Sequence, residues 1–247
     1  MQELLYRFHD PQVCVFREKT GMSKNKEYAQ QLKESGYERK IIAFKLSDRV
    51  PENAEHYGDV QSFHCAVVAE IWEGRGPFYI TRDNILCGGA LYSGIGHRKI
   101  GKEEFDAGMT QVIGINKGYT SRDAMRRATQ HLPHHFKHYT YQVIGALEDV
   151  DDPDVVMVVA DSYRVMRLCK AYTWKTGELV YGLSGTGWCT NSFPLVCRTK
   201  TMTFNMGDET SRVLMNLDLG EMYCFIHYDL LPLVIENLKN IQTGLAQ

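Results

Sequence analysis

The sequence has no long apolar run, no dense cysteine framework, no strong excess of charge and no nucleotide-binding glycine motif. A transmembrane helix needs about 18 or more apolar residues in a row, so none is expected. The opening MQELLYRFHDPQ mixes charges among its apolar residues and does not resemble a secretory leader. A formal net charge of -2 gives no general attraction to phosphate backbones or anionic lipid. Nucleic acid and membrane surface are therefore not expected as partners, and the expected compartment is cytoplasmic. Seven cysteines (Cys14, Cys65, Cys87, Cys169, Cys189, Cys197 and Cys224) are an odd number, spread through the chain without a C-x-x-C pair. Short secreted disulfide scaffolds are built differently, so these residues are expected to be reduced thiols or metal ligands. Neither G-x-G-x-x-G nor the phosphate-loop pattern occurs, which leaves a nucleotide assignment without a motif.

What is present is a chain of 247 residues, 44% hydrophobic, enough for a sizeable core without staples. Residues 1–40 are polar and rich in lysine, with Tyr28 and Leu32 on one helical stripe, and read as an N-terminal helix or a loosely attached arm. Residues 41–247 read as a single α/β domain with a mixed sheet and flanking helices. Strands are expected at IIAFKL from Ile41, PFYIT from Pro77, YQVIGAL from Tyr141, and VVMVVA from Val155, the last central because it is nearly all apolar. Further strands are expected over 178–183, 202–205 and 222–226. Helices are expected over 59–72, from Thr81–Asn84 into the region of Cys87, over 121–132, from Asp161 or Ser162 to Tyr172, and over 229–241. A short helix after Cys189 is expected to stop at Pro194.

Two segments echo one another: FYIT, a turn, then Cys87-Gly-Gly, and VYGLSGTG followed by Trp188-Cys189. Each puts a cysteine after a strand, which suggests two related halves. A cysteine at a helix start has its thiolate stabilised by unpaired N–H groups. Small cysteines packed into tight corners explain the same pattern, and the two readings stand at even weight. Ser184, Gly185, Thr186 and Gly187 form a turn that, at a helix start, would present N–H groups to a small anionic ligand. Tyr172, Trp174, Tyr181 and Trp188 flank that turn and suggest a sandwich for a planar ligand, although core packing accounts for them equally. HLPHHFKH, with His131, His134, His135 and His138, is broken by Pro133 and reads as an exposed loop. Asp149, Asp151, Asp152 and Asp154 do not match a calcium loop and read as a solvated turn.

The stretch from Phe63-His-Cys through GPFYITRDNILCGGA, with DPDVVMVV from Asp152, AYTWKTG from Ala171 and SGTGWC from Ser184, resembles the family called domain of unknown function 169. The resemblance spans roughly residues 41–241. It implies cysteines of common role at Cys65, Cys87 and Cys189, with another often found in a Cys-x-Gly stretch after the last core strand. Here that stretch reads Asn205-Met206-Gly207, and neither asparagine nor methionine is a usual cluster ligand. The family's activity is not established; the three matching cysteines lead to the expectation of a metal–thiolate centre, an iron–sulfur cluster first, on Cys65, Cys87 and Cys189, with an open coordination position for a small anionic ligand. A metal-free thiol enzyme using Cys189 or Cys87, with His64 or the histidine cluster as base, is the alternative. A non-catalytic module that binds a small molecule or docks on a redox partner protein is the third.

Overall fold

The computed structural model describes residues 23–95, 120–129 and 137–241. Eight strands form one mixed sheet: β1 (Ile42–Ser47), β2 (Glu55–His56), β3 (Phe78–Ile80), β4 (Tyr141–Ala146), β5 (Val155–Asp161), β6 (Gly182–Leu183), β7 (Met202–Asn205) and β8 (Glu221–His227). Their order is β2-β3-β4-β1-β5-β8-β7-β6. β5 is central, as its unbroken apolar run predicts, because such a strand needs cover on both faces. Alternate residues point to opposite faces, so the sheet feeds two cores. Val156, Val158 and Ala160 of β5 join Ala43, Cys224 and Ile226 in one. Val155, Met157 and Val159 join Ile42, Phe44, Tyr223 and Phe225 in the other.

The first core is covered by α1 (Lys24–Glu34), α5 (Ser162–Thr176) and α8 (Leu231–Leu238). Asp161 caps α5 by accepting from the Arg164 backbone N–H, and Gly177 ends it in the left-handed region at φ 73°. Both ends follow from side-chain chemistry visible in sequence. α1 is not a loose arm: Leu32 is fully buried, and Asn25 Nδ2 donates to Val150 O at 2.7 Å. Burial of a leucine contributes about 1.5–3 kcal/mol, enough to seat the helix.

The second core is covered by α2 (His64–Trp72) and α6 (Ser192–Thr199), with α3 (Gly89–Tyr92) and α7 (Glu209–Leu214) nearby; α4 (Arg122–Thr129) completes the described helices. Several expected boundaries move. Residues 59–63 are not helical, because Asn84 Nδ2 takes the Gly58 and Val60 carbonyls and Ser62 bridges to Ile85. Thr81 and Asn84 close a capping box around a single 3-10 turn, not the start of a helix through Cys87. The strand expected over 178–183 is reduced to Gly182–Leu183, since Leu179 and Tyr181 are exposed and have no face to bury. Pro194 lies in the first turn of α6, where its missing N–H is harmless, so it opens that helix instead of halting it. No described helix is long and apolar enough to cross a membrane.

The sheet contains the same topology twice. Ala43 lies opposite Val156, and a twofold relation about that pair exchanges β1 with β5, β4 with β8, β3 with β7 and β2 with β6. The outermost pairs, β2 with β3 and β6 with β7, are parallel, and every other pair is antiparallel. By register, Gln142 corresponds to Tyr223 and Ile80 to Asn205. Two related halves are therefore real as topology, but the frame differs from the echo in the sequence. Cys87 follows β3, whose counterpart is β7, whereas Cys189 follows β6.

Candidate metal centre

The cluster forms where the two halves meet on the α2 and α6 side of the sheet. After the Thr81–Asn84 turn, Ser62 N donates to Asn84 O at 2.7 Å and Leu86 N to Ser62 O at 2.9 Å. These bonds lay the segment carrying Cys87 against the start of α2. That helix has no side-chain cap, so its first N–H groups are left for another acceptor. The His64 and Gly89 backbone N–H groups lie near enough to the Cys87 sulfur to favour its thiolate.

Cys189 comes from the second half, in the turn before α6. Thr190 N and Oγ1 both donate to Gly187 O, and Asn191 Nδ2 donates to Thr186 Oγ1 at 2.7 Å. Behind this turn, Asn205 Nδ2 donates to Asn191 Oδ1 at 2.8 Å and to Ser192 Oγ at 2.9 Å, while its Oδ1 accepts from Gly207 N. Asn205 is thus fully engaged in fixing the Cys189 turn. Its amide is bonded at both ends within the protein.

His64 is the third member. It is fully buried, and its Nε2 lies 2.5 Å from Oε1 of the equally buried Gln142 on β4. An amide oxygen only accepts, so Nε2 carries the proton and Nδ1 the lone pair. Nδ1 has no hydrogen-bond partner. A ring nitrogen of His64, Cys87 Sγ and Cys189 Sγ all lie within 4.8 Å of one another, and Nδ1 is the nitrogen that shares the space over Gly89 with Cys189 Sγ. A tetrahedral cation with metal–sulfur bonds of about 2.3 Å holds its donors about 3.4–3.8 Å apart, so small side-chain movements close the set. An imidazole whose other nitrogen is fixed by a protein oxygen is the usual arrangement of a metal-bound histidine.

Electrostatics favour the same use. Burial pushes His64 down to about 4, keeping the imidazole neutral and able to ligate. Cys87 is lowered to about 7, first by the Cys189 thiol donating to its sulfur and then, against burial, by the backbone N–H groups. Cys189 is raised by that same bond, by burial, and by the negative charges of Cys87, Cys65 and Asp208. Deprotonation is therefore favoured at Cys87 over Cys189. Iodoacetamide labelling of metal-free protein at Cys87 is expected to rise as pH increases through about 7. Mass spectrometry of the labelled cysteines checks this, with Cys65 and Cys197 labelling slowly throughout because burial raises both thiols.

Two glycines mark close approaches. A Cβ on Gly89 would stand 2.7 Å from both Cys189 Sγ and His64 Nδ1. A Cβ on Gly187 would stand 3.1 Å from Asp208 Oδ2 and 3.6 Å from Cys189 Sγ.

Of the residues singled out in sequence, Cys87 and Cys189 meet. Cys65 packs in the second core with its thiol pushed up to about 12, by burial first and then by Cys87 and Asp208. Ser184 and Gly185 are exposed, and the Ser184–Gly187 turn is not a helix start, since α6 begins only at Ser192 behind its Asn191 cap. The aromatic sandwich does not form: Trp188 is buried in the second core, Tyr172 lies in the first, and Trp174 and Tyr181 are exposed. His131, His134 and His135 lie outside the described residues, as does Cys14. Asp154 is not merely solvated, since its Oδ2 accepts from Leu46 N at 2.7 Å. Sequence reasoning offered His64 only as a base, and it passed over Gln142, Gly89 and Asp208. A histidine beside a cysteine in an apolar helix, and a glutamine in a buried strand, were the available signals.

Fold and cluster together define a single α/β domain that carries a largely buried imidazole–dithiol cluster. The family model of domain of unknown function 169, described as uncharacterised ArCR, matches residues 32–237, and the chain belongs to this family. No curated protein and no solved structure matches it.

Proposed function

We propose that this protein binds a thiophilic transition-metal centre through His64 Nδ1, Cys87 and Cys189. The observation that carries the reading is the fully buried, unpartnered His64 Nδ1 grouped with both sulfurs, its other nitrogen held by Gln142. A buried polar atom without a partner is costly, and a cation removes that cost while taking up the Cys87 thiolate. Three protein donors leave a further position on the metal, where a bound cation supplies Lewis acidity toward a small anionic ligand. An iron–sulfur cluster is the variant in which Cys65, close enough to feel the Cys87 charge, contributes a third thiolate.

The test is metal analysis of protein purified without oxygen, assaying iron, zinc and acid-labile sulfide, on wild type and on Cys87→Ala, Cys189→Ala and His64→Ala. Stoichiometric metal, lost in each variant, is expected. Sulfide in step with iron, with loss also in Cys65→Ala, selects the cluster. Folded wild-type protein that neither contains metal nor takes up Zn²⁺ or Fe²⁺ overturns the proposal. That result would leave a metal-free thiol enzyme, a reading supported by the lowered Cys87.

A further inference from the structure

The three donors so far come from α2, the loop before α3 and the turn before α6. One more chain segment passes close to the cluster, its carboxylate outside the set of donors that lie within 4.8 Å of one another. β7 ends at Asn205, Gly207 turns the chain at φ 82°, and Asp208 then caps α7. Its two carboxylate oxygens have different surroundings. Oδ1 accepts from Ser211 N at 3.1 Å, and Ser211 Oγ completes the capping box by accepting from Asp208 N. Oδ2 has no hydrogen-bond partner among the described residues and faces the space over Gly187 that Cys189 Sγ also borders.

The charge of Asp208 is felt by the cluster, since it contributes to raising both Cys189 and Cys65. In a metal-free site such a carboxylate opposes the thiolates it faces. In a metal-bound site it becomes an asset, because oxygen joins nitrogen and sulfur in the donor sets of borderline cations. The neighbouring candidates are unsuited. Asn205 is bonded at both ends of its amide, and Met206 is 55% exposed.

We infer that Asp208 Oδ2 is the fourth protein donor of this centre, taking the position that the three donors leave in place of an external anionic ligand, and giving one imidazole, two thiolates and one carboxylate. This rests on the metal reading above, and the experiment separates the two. Metal-free wild type, Asp208→Asn, Ser211→Ala and Cys189→Ala are titrated with Co²⁺, followed by the thiolate-to-cobalt absorption and the visible ligand-field bands. Asn caps helices as well as Asp, so Asp208→Asn keeps α7 while removing one anionic donor. The expected result is a thiolate-to-cobalt band in wild type and in Asp208→Asn. The Asn variant should bind about 10-fold or more weaker, with its ligand-field bands shifted. Ser211→Ala, which removes only the reciprocal half of the cap, should match wild type in affinity and spectrum. Asp208→Cys should restore tight binding with added sulfur-to-metal intensity. If wild type takes up Co²⁺ and Asp208→Asn matches it in affinity and spectrum, the role of Asp208 is overturned and the three-donor centre stands. If wild type takes up no Co²⁺, both readings fall.

Discussion

Replacing Gly89 with alanine is expected to weaken metal uptake by about 100-fold while the protein stays folded. The added Cβ would lie 2.7 Å from Cys189 Sγ and 2.7 Å from His64 Nδ1, closer than real contacts allow. Neither neighbour can easily yield. His64 is fully buried and tied to Gln142, and Cys189 sits in a turn fixed by Thr190, Asn191 and Asn205. The methyl group would hold apart the two donors that a cation must draw together. Zn²⁺ affinity measured by competition with a chromophoric chelator checks the expectation. Gly220→Ala, where a Cβ meets nothing within 4 Å, is the control expected to bind as wild type.

The second large effect is on stability. Trp188→Ala is expected to cost about 3–5 kcal/mol, seen as a fall in melting temperature of about 6–20 °C for a domain of this size. Trp188 is among the largest fully buried side chains. Its ring stacks on Phe225 at 5.6 Å and contacts Phe44 and His64, each also at 5.6 Å between centroids. Truncation opens a cavity between two rings from the sheet and the imidazole of the cluster. Since Cys189 is the next residue, metal affinity should fall as well. Trp188→Phe should cost much less, because it keeps an aromatic ring and removes an indole N–H that is buried without a partner. Thermal and urea denaturation of the metal-free variants measure both.

The helix ends and the central strand were legible because their signals are local. Asp161 as cap, Gly177 as stop and the apolar run of β5 act through neighbouring residues. Weak strands were overestimated where apolar residues had no face to bury, as at Leu179 and Tyr181. Pro194 is ambiguous in sequence because the same residue is tolerated in a first turn and excluded from an interior. The start of α2 was placed too early, since the competing bonds of residues 58–62 come from Asn84, Ile85 and Leu86, which only the folded chain brings near.

By itself the sequence determined the class of fold, the family and a set of three cysteines, Cys65, Cys87 and Cys189, that includes the two that meet. Patterning and cysteine placement depend on residue type and short-range spacing, and both are written in order along the chain. The tertiary structure alone decided which side chains share the site. His64 becomes a candidate ligand only because Gln142 on β4 takes its Nε2, and Asp208 only because the β7 loop turns back over Gly187. It also decided that the ring of His64 groups with Cys87 and Cys189, and that the halves correspond strand by strand in a frame different from the echo. Such relations depend on sheet register and on contacts between residues far apart in the chain. No local pattern encodes them, because the same donor is ligand, base or packing atom according to what the fold sets beside it.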